Sequence, residues 1–314
     1  MDQSQTEARL DESQVVGTSF VVSVSDVTLN FIVSLLTGSI VMLSQALQGL
    51  SDMTTAGILY LGVRRSKRAH DTAHPLGYGR EIFFWALIAA ITMFMGTGLL
   101  SLYFGLQQLR EPEPLELSGL ALAMLSFGLV TNLFAFSRSV KRLNQIDSPT
   151  SWWHRIANSG MVETKTTFTV DLMGTLAALF GFVAMSAYIV SGDARLDGIG
   201  AMVIGISTMA AAIFIITDVH GLIVGRAVSP EIAERITDAA LSVNEVNQVV
   251  DLYTLYIGSD RLLVIVEVNL LDGLSTRKIE RIMDEVKKRI HEAVPAAHRI
   301  QVEVESQEEE LTTS

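Results

Sequence analysis

Gln48 and Asp52 stand four residues apart inside an otherwise apolar run, so a helix there carries both on one face. Thr167 and Asp171 repeat that spacing in a second apolar run, and Asp26 and Asn30 repeat it in a third. An ionised Asp near the centre of a bilayer costs about 2.5 to 3.5 kcal/mol on insertion scales, so each carboxylate must face protein or water and find a partner. The apolar runs supply no Lys or Arg. Without an internal cation, Asp52 and Asp171 either hold a proton or neutralise a bound cation; a pair on neighbouring helices that does both is a cation site that exchanges for protons. The alternative is that each is a protonated, hydrogen-bonded packing residue. Asp26 and Asn30 either line the same cavity or bond backbone between helices, and Asn132 reads as interhelical glue.

The elements that must position these residues are membrane spans. The chain has 314 residues, 49% of them hydrophobic and 18% charged, with a mean hydropathy of +0.38, which is too apolar for an ordinary soluble domain. About twenty apolar residues cross a bilayer, and six windows qualify: Val15 to Thr37, Ser39 to Val63, Phe83 to Gln107, Leu117 to Phe136, Phe168 to Val190 and Gly198 to Ile216. Gly96, Gly98 and Gly105 in the third, and Gly198, Gly200 and Gly205 in the sixth, read as close-packing positions rather than hinges. The scattered methionines read as apolar filler.

Positive charge orients the spans. Arg64, Arg65, Lys67, Arg68 and Arg80 follow the second window, and Arg138, Lys141, Arg142, Arg155 and Lys165 follow the fourth, whereas the opposite loops offer only Arg110 and Arg195. Both termini are therefore expected on the cytoplasmic side. No signal or transit pattern precedes the first window, so a bacterial plasma (inner) membrane is the expected location. The absence of Cys excludes disulfides and thiolate ligands. A net charge of −11 without a basic stripe outside the membrane-flanking loops argues against nucleic-acid binding.

Beyond about Thr217 the pattern changes. Ser229 followed by Pro230 marks a helix start, with Ile232, Ile236, Ala239 and Ala240 behind it. Val249 to Ile257 and Arg261 to Leu271 read as two strands of a hairpin, Ser275 starts a helix with Ile279, Ile282, Met283, Val286 and Ile290 on one face, and Arg299 to Glu305 reads as a last strand. The expected fold is thus an α-helical membrane protein: a polar tail 1–14, six transmembrane helices within 15–217, an α+β domain of order αββαβ within 226–306, and an acidic flexible tail 307–314. The bland reading of the α+β domain is a dimerisation module.

The segment "HPLGYGRE", preceded by "TGSIVMLSQALQGLSD" and followed by a third window ending "GLQQLREPEP", resembles the cation diffusion facilitators, proton-coupled exporters of divalent metal ions. The likeness continues through "DGIGAMVIG", "GLIVGRAVSPEI" and the αββαβ tail. It implies a homodimer of six-helix protomers with a metallochaperone-like (ferredoxin-like) cytosolic domain, no prosthetic group and no enzymatic activity. It also implies a four-ligand transport site, which falls here on Gln48, Asp52, Thr167 and Asp171. The aspartates match the family pattern; Gln48 and Thr167 depart from it, because zinc-selective members usually carry His or Asp there. An all-oxygen set favours harder ions such as Mn²⁺, with Fe²⁺ and Co²⁺ as further candidates, so zinc stands as the family default. A weak secondary site in the loop is matched by Asp71 and His74, with Tyr78 where a second His is usual. The tail offers only His291 and His298, with His220 just beyond the last span.

Two other classes compete with the transporter reading. One is a transport-inactive, metal-sensing or heterodimerising chain on the same fold, suggested by the two replaced ligands. The other is an intramembrane aspartyl protease, disfavoured because the contexts "LSDMT" and "TVDLM" lack the Tyr-Asp and Gly-x-Gly-Asp surroundings of such enzymes.

Overall fold

The computed structural model describes residues 23–144 and 162–305. The two polar tails, the beginning of the first window and Arg155 lie outside the described residues. Six helices come first: α1 Ser23–Thr37, α2 Ile40–Ser66, α3 Glu81–Arg110, α4 Ser118–Asn144, α5 Val162–Ser191 and α6 Arg195–Val224. Four of them, α3 to α6, are long and apolar enough to cross a bilayer. α1 is shorter over its described part. α2 has the length, at 27 residues, but Ser44, Gln45, Gln48, Ser51, Asp52 and Thr55 lower its hydropathy. Most of these polar side chains are buried against protein, so composition understates how apolar the outer face of α2 is. Large apolar residues elsewhere point outward, Val190 at 89% exposure and Leu35 at 71%, as a lipid-facing surface requires.

The chain divides into two compact units. The first takes in residues 23–60, 86–144 and 164–217 of the described chain, and the second 61–85, 162–163 and 218–305. In the first unit Val33, Met42, Leu125, Ala177, Met185 and Ile204 join five helices in one core. Gly38 (φ +68°) and Gly192 (φ +73°) end α1 and α5 in the left-handed conformation that a Cβ disfavours.

α3 and α6 cross antiparallel on two glycine pairs. A Cβ on Gly105 would stand 2.6 Å from the Gly198 carbonyl oxygen, and one on Gly205 would stand 2.7 Å from that of Gly98. Both pairs are seven residues apart along their helices, so the backbones touch at two successive levels, as expected of close-packing glycines. At the Gly98 level α3 relaxes into a π-turn, Phe94–Leu99. The Thr97 hydroxyl there meets Ser51 Oγ of α2 at 2.8 Å, a re-aiming that π-turns commonly provide.

The second unit contains the α+β domain: α7 Pro230–Leu241, β1 Val246–Gly258, β2 Arg261–Leu270, α8 Thr276–Ala293 and β3 Ala297–Val304. The sheet order is β1-β2-β3, with β1 and β2 antiparallel and β2 and β3 parallel. Ser229 and Ser275 occupy the N-cap positions, through backbone carbonyls rather than side-chain bonds. Leu262, Val264, Val266 and Val268 bury one face of β2 at every second residue, and Ile282, Val286 and Ile290 of α8 complete the core. The αββαβ order expected from the sequence is therefore the one observed, with strand ends displaced by at most three residues.

The α3–α6 crossing yields a test. Gly105→Val should cost about 1 to 3 kcal/mol of stability, because no rotamer removes its Cβ from the Gly198 carbonyl. Gly119→Ala, where nothing lies within 4 Å, should be neutral; thermal unfolding of the full chain in detergent compares them.

Candidate metal site

The polar residues of α2 form one stripe. Ser44, Gln48, Ser51 and Thr55 are all under 5% exposed, and Asp52 is half-buried. The Gln48 amide nitrogen donates to Asp52 Oδ1 at 2.9 Å, while Gln48 Oε1 accepts from the Thr208 hydroxyl of α6 at 3.3 Å. A carboxylate only accepts, so the amide turns its nitrogen, not its ligating oxygen, toward Asp52.

α5 completes the surroundings of Asp52. A Cβ on Gly174 would lie 2.8 Å from Asn132 Oδ1 of α4 and 4.0 Å from Asp52 Oδ2, so this glycine leaves room for both groups. Asp171, one turn before Gly174, lies close enough for its charge to repel that of Asp52, and so does Asp26 of α1. The Ser139 hydroxyl of α4 donates to Asp171 Oδ2. The structure thus brings Gln48, Asp52 and Asp171 into one neighbourhood. Thr167, in contrast, is exposed.

Asn30 bonds the Asp26 side chain within α1, and Asp26 Oδ2 stands beside Gly49, 3.9 Å from where its Cβ would be. The pair therefore borders the Gln48 turn. Asn132 does not glue helices through its amide nitrogen, which bonds back to the Gly128 carbonyl of its own helix at 2.8 Å; it is its backbone carbonyl that accepts from Thr175 of α5, at 3.2 Å. Lys165, expected in a loop, lies within α5 and is 5% exposed, because the polar residues before Phe168 extend that helix beyond its apolar window.

Sequence reasoning missed Ser139, Thr208 and Asp197. Asp197, in the first turn of α6, is fully buried. It accepts from the Ser39 hydroxyl at 2.5 Å, the Ile40 N–H at 2.6 Å and the Val41 N–H at 3.3 Å. α2 thus takes its N-terminal cap from a residue 157 positions away. The only sequence signal was an acidic residue at a helix start, which a solvated first turn explains equally well.

In the second unit Asp71 and His74 do meet, with Asp71 Oδ1 3.3 Å from His74 Nδ1. Asp71 is already well supplied with donors: the Tyr78 hydroxyl at 2.6 Å, the His74 N–H at 2.7 Å and the Ala73 N–H at 3.0 Å. The Arg68 guanidinium stacks over the Tyr78 ring at 4.5 Å. Gly79 lies backbone to backbone against Ile257 and Gly258, and Arg80 donates to the Ile223 carbonyl near the end of α6. His291 is spent on the Ala297 carbonyl at 3.1 Å, while His298 and His220 are exposed. Among the described residues no three His, Cys, Asp or Glu side chains converge as a ligand set.

A helical domain with several helices long and apolar enough to cross a membrane and acidic side chains in its interior, followed by a small α+β domain, is the architecture of a multi-pass membrane protein. The family model for the cation efflux transmembrane domain matches residues 17–223, and that for the cation efflux protein cytoplasmic domain matches residues 228–307. The chain belongs to the cation diffusion facilitator family, a family of transporters rather than enzymes. Among curated proteins it is similar to the mouse proton-coupled zinc antiporter SLC30A9, mitochondrial, at 25% identity over 82% of this chain and 47% of that protein. It is also similar to the magnetosome protein MamB of Paramagnetospirillum magneticum, at 22% identity over 92% of each chain. The chain spans less than half the length of the mouse SLC30A9 protein. A solved MamM CTD in a nickel form aligns with 26% of this chain and 100% of its own, at 19% identity and a TM-score of 0.24.

The loop supplies a pH test. The Tyr78 hydroxyl first, and the His74 N–H next, hold the Asp71 carboxyl down to about 2 from its ordinary 3.8. A depressed acid stabilises the folded loop above its unfolded pKa, and the contribution is lost as pH falls from about 4 through about 2. Tyr78→Phe should move the Asp71 midpoint up toward 3.8, as read from its carboxyl resonance by NMR.

Proposed function

We propose that this protein is a secondary transporter that moves a divalent metal cation out of the cytoplasm in exchange for protons, working as a homodimer. The observation that carries the proposal is the presentation of Asp52 from α2 and Asp171 from α5 into one interior neighbourhood, where Gln48 donates to the first and Ser139 to the second. Two repelling carboxylates are relieved either by protons or by a divalent ion, and the competition between these is the chemistry of an antiporter. In this reading all six helices cross the membrane, both termini face the cytoplasm as the loop charges favour, and the plasma membrane of a bacterium is the location.

The ion would be held by Asp52 and Asp171, with Gln48 and Thr167 as the neutral oxygen donors. The zinc antiporter among the relatives supports Zn²⁺, whereas the all-oxygen set supports Mn²⁺, Fe²⁺ or Co²⁺. Asp71 and His74 form at most a subsidiary site, since Tyr78 and two backbone N–H groups already occupy Asp71. The three-stranded sheet of the α+β domain is the proposed dimerisation element, with Tyr253 and Val304 among its exposed residues. A second reading, a transport-inactive or metal-sensing partner of another chain, is favoured by the exposure of Thr167 and the amide nitrogen that covers Asp52.

Metal flux into proteoliposomes under an imposed pH gradient separates the two readings. With Zn²⁺, Mn²⁺, Fe²⁺ and Co²⁺ offered singly, at least one should be taken up against protons, and Asp52→Asn should reduce its flux at least tenfold. Undiminished flux in Asp52→Asn overturns the site, and no flux with any ion from the wild-type protein favours the second reading.

A further inference from the structure

Gln48 has one side-chain atom able to ligate a cation, Oε1, and that atom faces Thr208 rather than Asp52. The amide therefore has to turn over before it can serve the ion, and its nitrogen then needs an acceptor. Thr208 is built to be that acceptor. It is 1% exposed, and its single hydroxyl proton has a better partner in the Ile204 carbonyl at 2.9 Å than in Gln48 Oε1 at 3.3 Å. With the proton on Ile204, the hydroxyl lone pairs remain for Gln48.

We propose that Gln48 and Thr208 form a two-position switch on Asp52. Without an ion, the Gln48 nitrogen donates to Asp52 Oδ1 and the Thr208 proton is shared between Ile204 and Gln48. With an ion on Asp52, the amide turns, Oε1 faces the cation, and the nitrogen donates to Thr208 Oγ1, whose proton stays on the Ile204 carbonyl. Every polar atom of the pair is satisfied in both positions, which keeps the turn cheap inside an apolar bundle. Thr208 is then a specificity-determining positioning residue that acts through Gln48. It favours the ion-loaded state because the bond it makes there is undivided, whereas the one it makes in the empty state is the longer branch of a shared proton.

The proposal rests on Asp52 being a cation ligand, and the experiment separates the two ideas. Zn²⁺ and Mn²⁺ are each titrated into the purified full chain in detergent, with thermal unfolding as a check on folding. Thr208→Val should weaken binding about fivefold, the worth of one hydrogen bond, with Thr208→Ala as a second hydroxyl deletion; Thr208→Ser should bind like wild type. In a Gln48→Ala background the Thr208→Val effect should vanish, since there is no amide left to place. Unchanged or tighter binding in both hydroxyl deletions overturns the switch, as does an equal weakening in the Gln48→Ala background. If Asp52→Asn binds both ions as wild type does, the reading of Asp52 fails and the switch falls with it; if it loses them while Thr208→Val is silent, only the switch fails.

Discussion

A carboxylate inside an apolar helical bundle has to be given donors, and the arrangement of the membrane unit follows from how Asp52 is given them. Water cannot supply them cheaply at that depth, so neighbouring helices must. α2 contributes Gln48 from its own previous turn, and α6 steadies Gln48 through Thr208. α5 makes space with Gly174 and brings Asp171 close enough to repel. The result is a pair of carboxyl groups held by donors from their own and neighbouring helices.

That arrangement depends on α2 and α6 keeping their register. Asp197 supplies it at the N-terminal end of α2, where three donors converge on one buried carboxylate. Bonds between a charged acceptor and helix-terminal N–H groups are among the stronger ones a protein makes. α3 is held to α6 by the Gly98–Gly205 and Gly105–Gly198 contacts, where backbone rather than side chain sets the distance. α2 is thus fixed to α6 by a carboxylate, and α6 to α3 by glycines.

The second unit shows what a changed ligand set does to a loop. Tyr78 stands where the family resemblance leads one to expect His, and its hydroxyl is bonded to Asp71. The loop is braced by hydrogen bonds and a cation–π contact, and its Gly79 lies against the end of β1. Loop and α+β domain consequently belong to one compact unit, which loop composition by itself did not suggest.

Much of the architecture is legible in residue types alone. Apolar length locates the helices, period-two burial locates β2, Ser-Pro and Ser mark the helix starts of the α+β domain, and i, i+4 spacing puts Gln48 with Asp52 on one helix face, because these are local consequences of backbone geometry. The choice of partners across the fold is not local. The sequence could not say that Thr208 takes the Gln48 oxygen, that Ser139 serves Asp171, that Asp197 caps a helix 157 residues away, or that Lys165 lies buried in α5. Each depends on the rotation of one helix against another, which packing of whole faces sets, so only the tertiary structure decided which of the polar residues met.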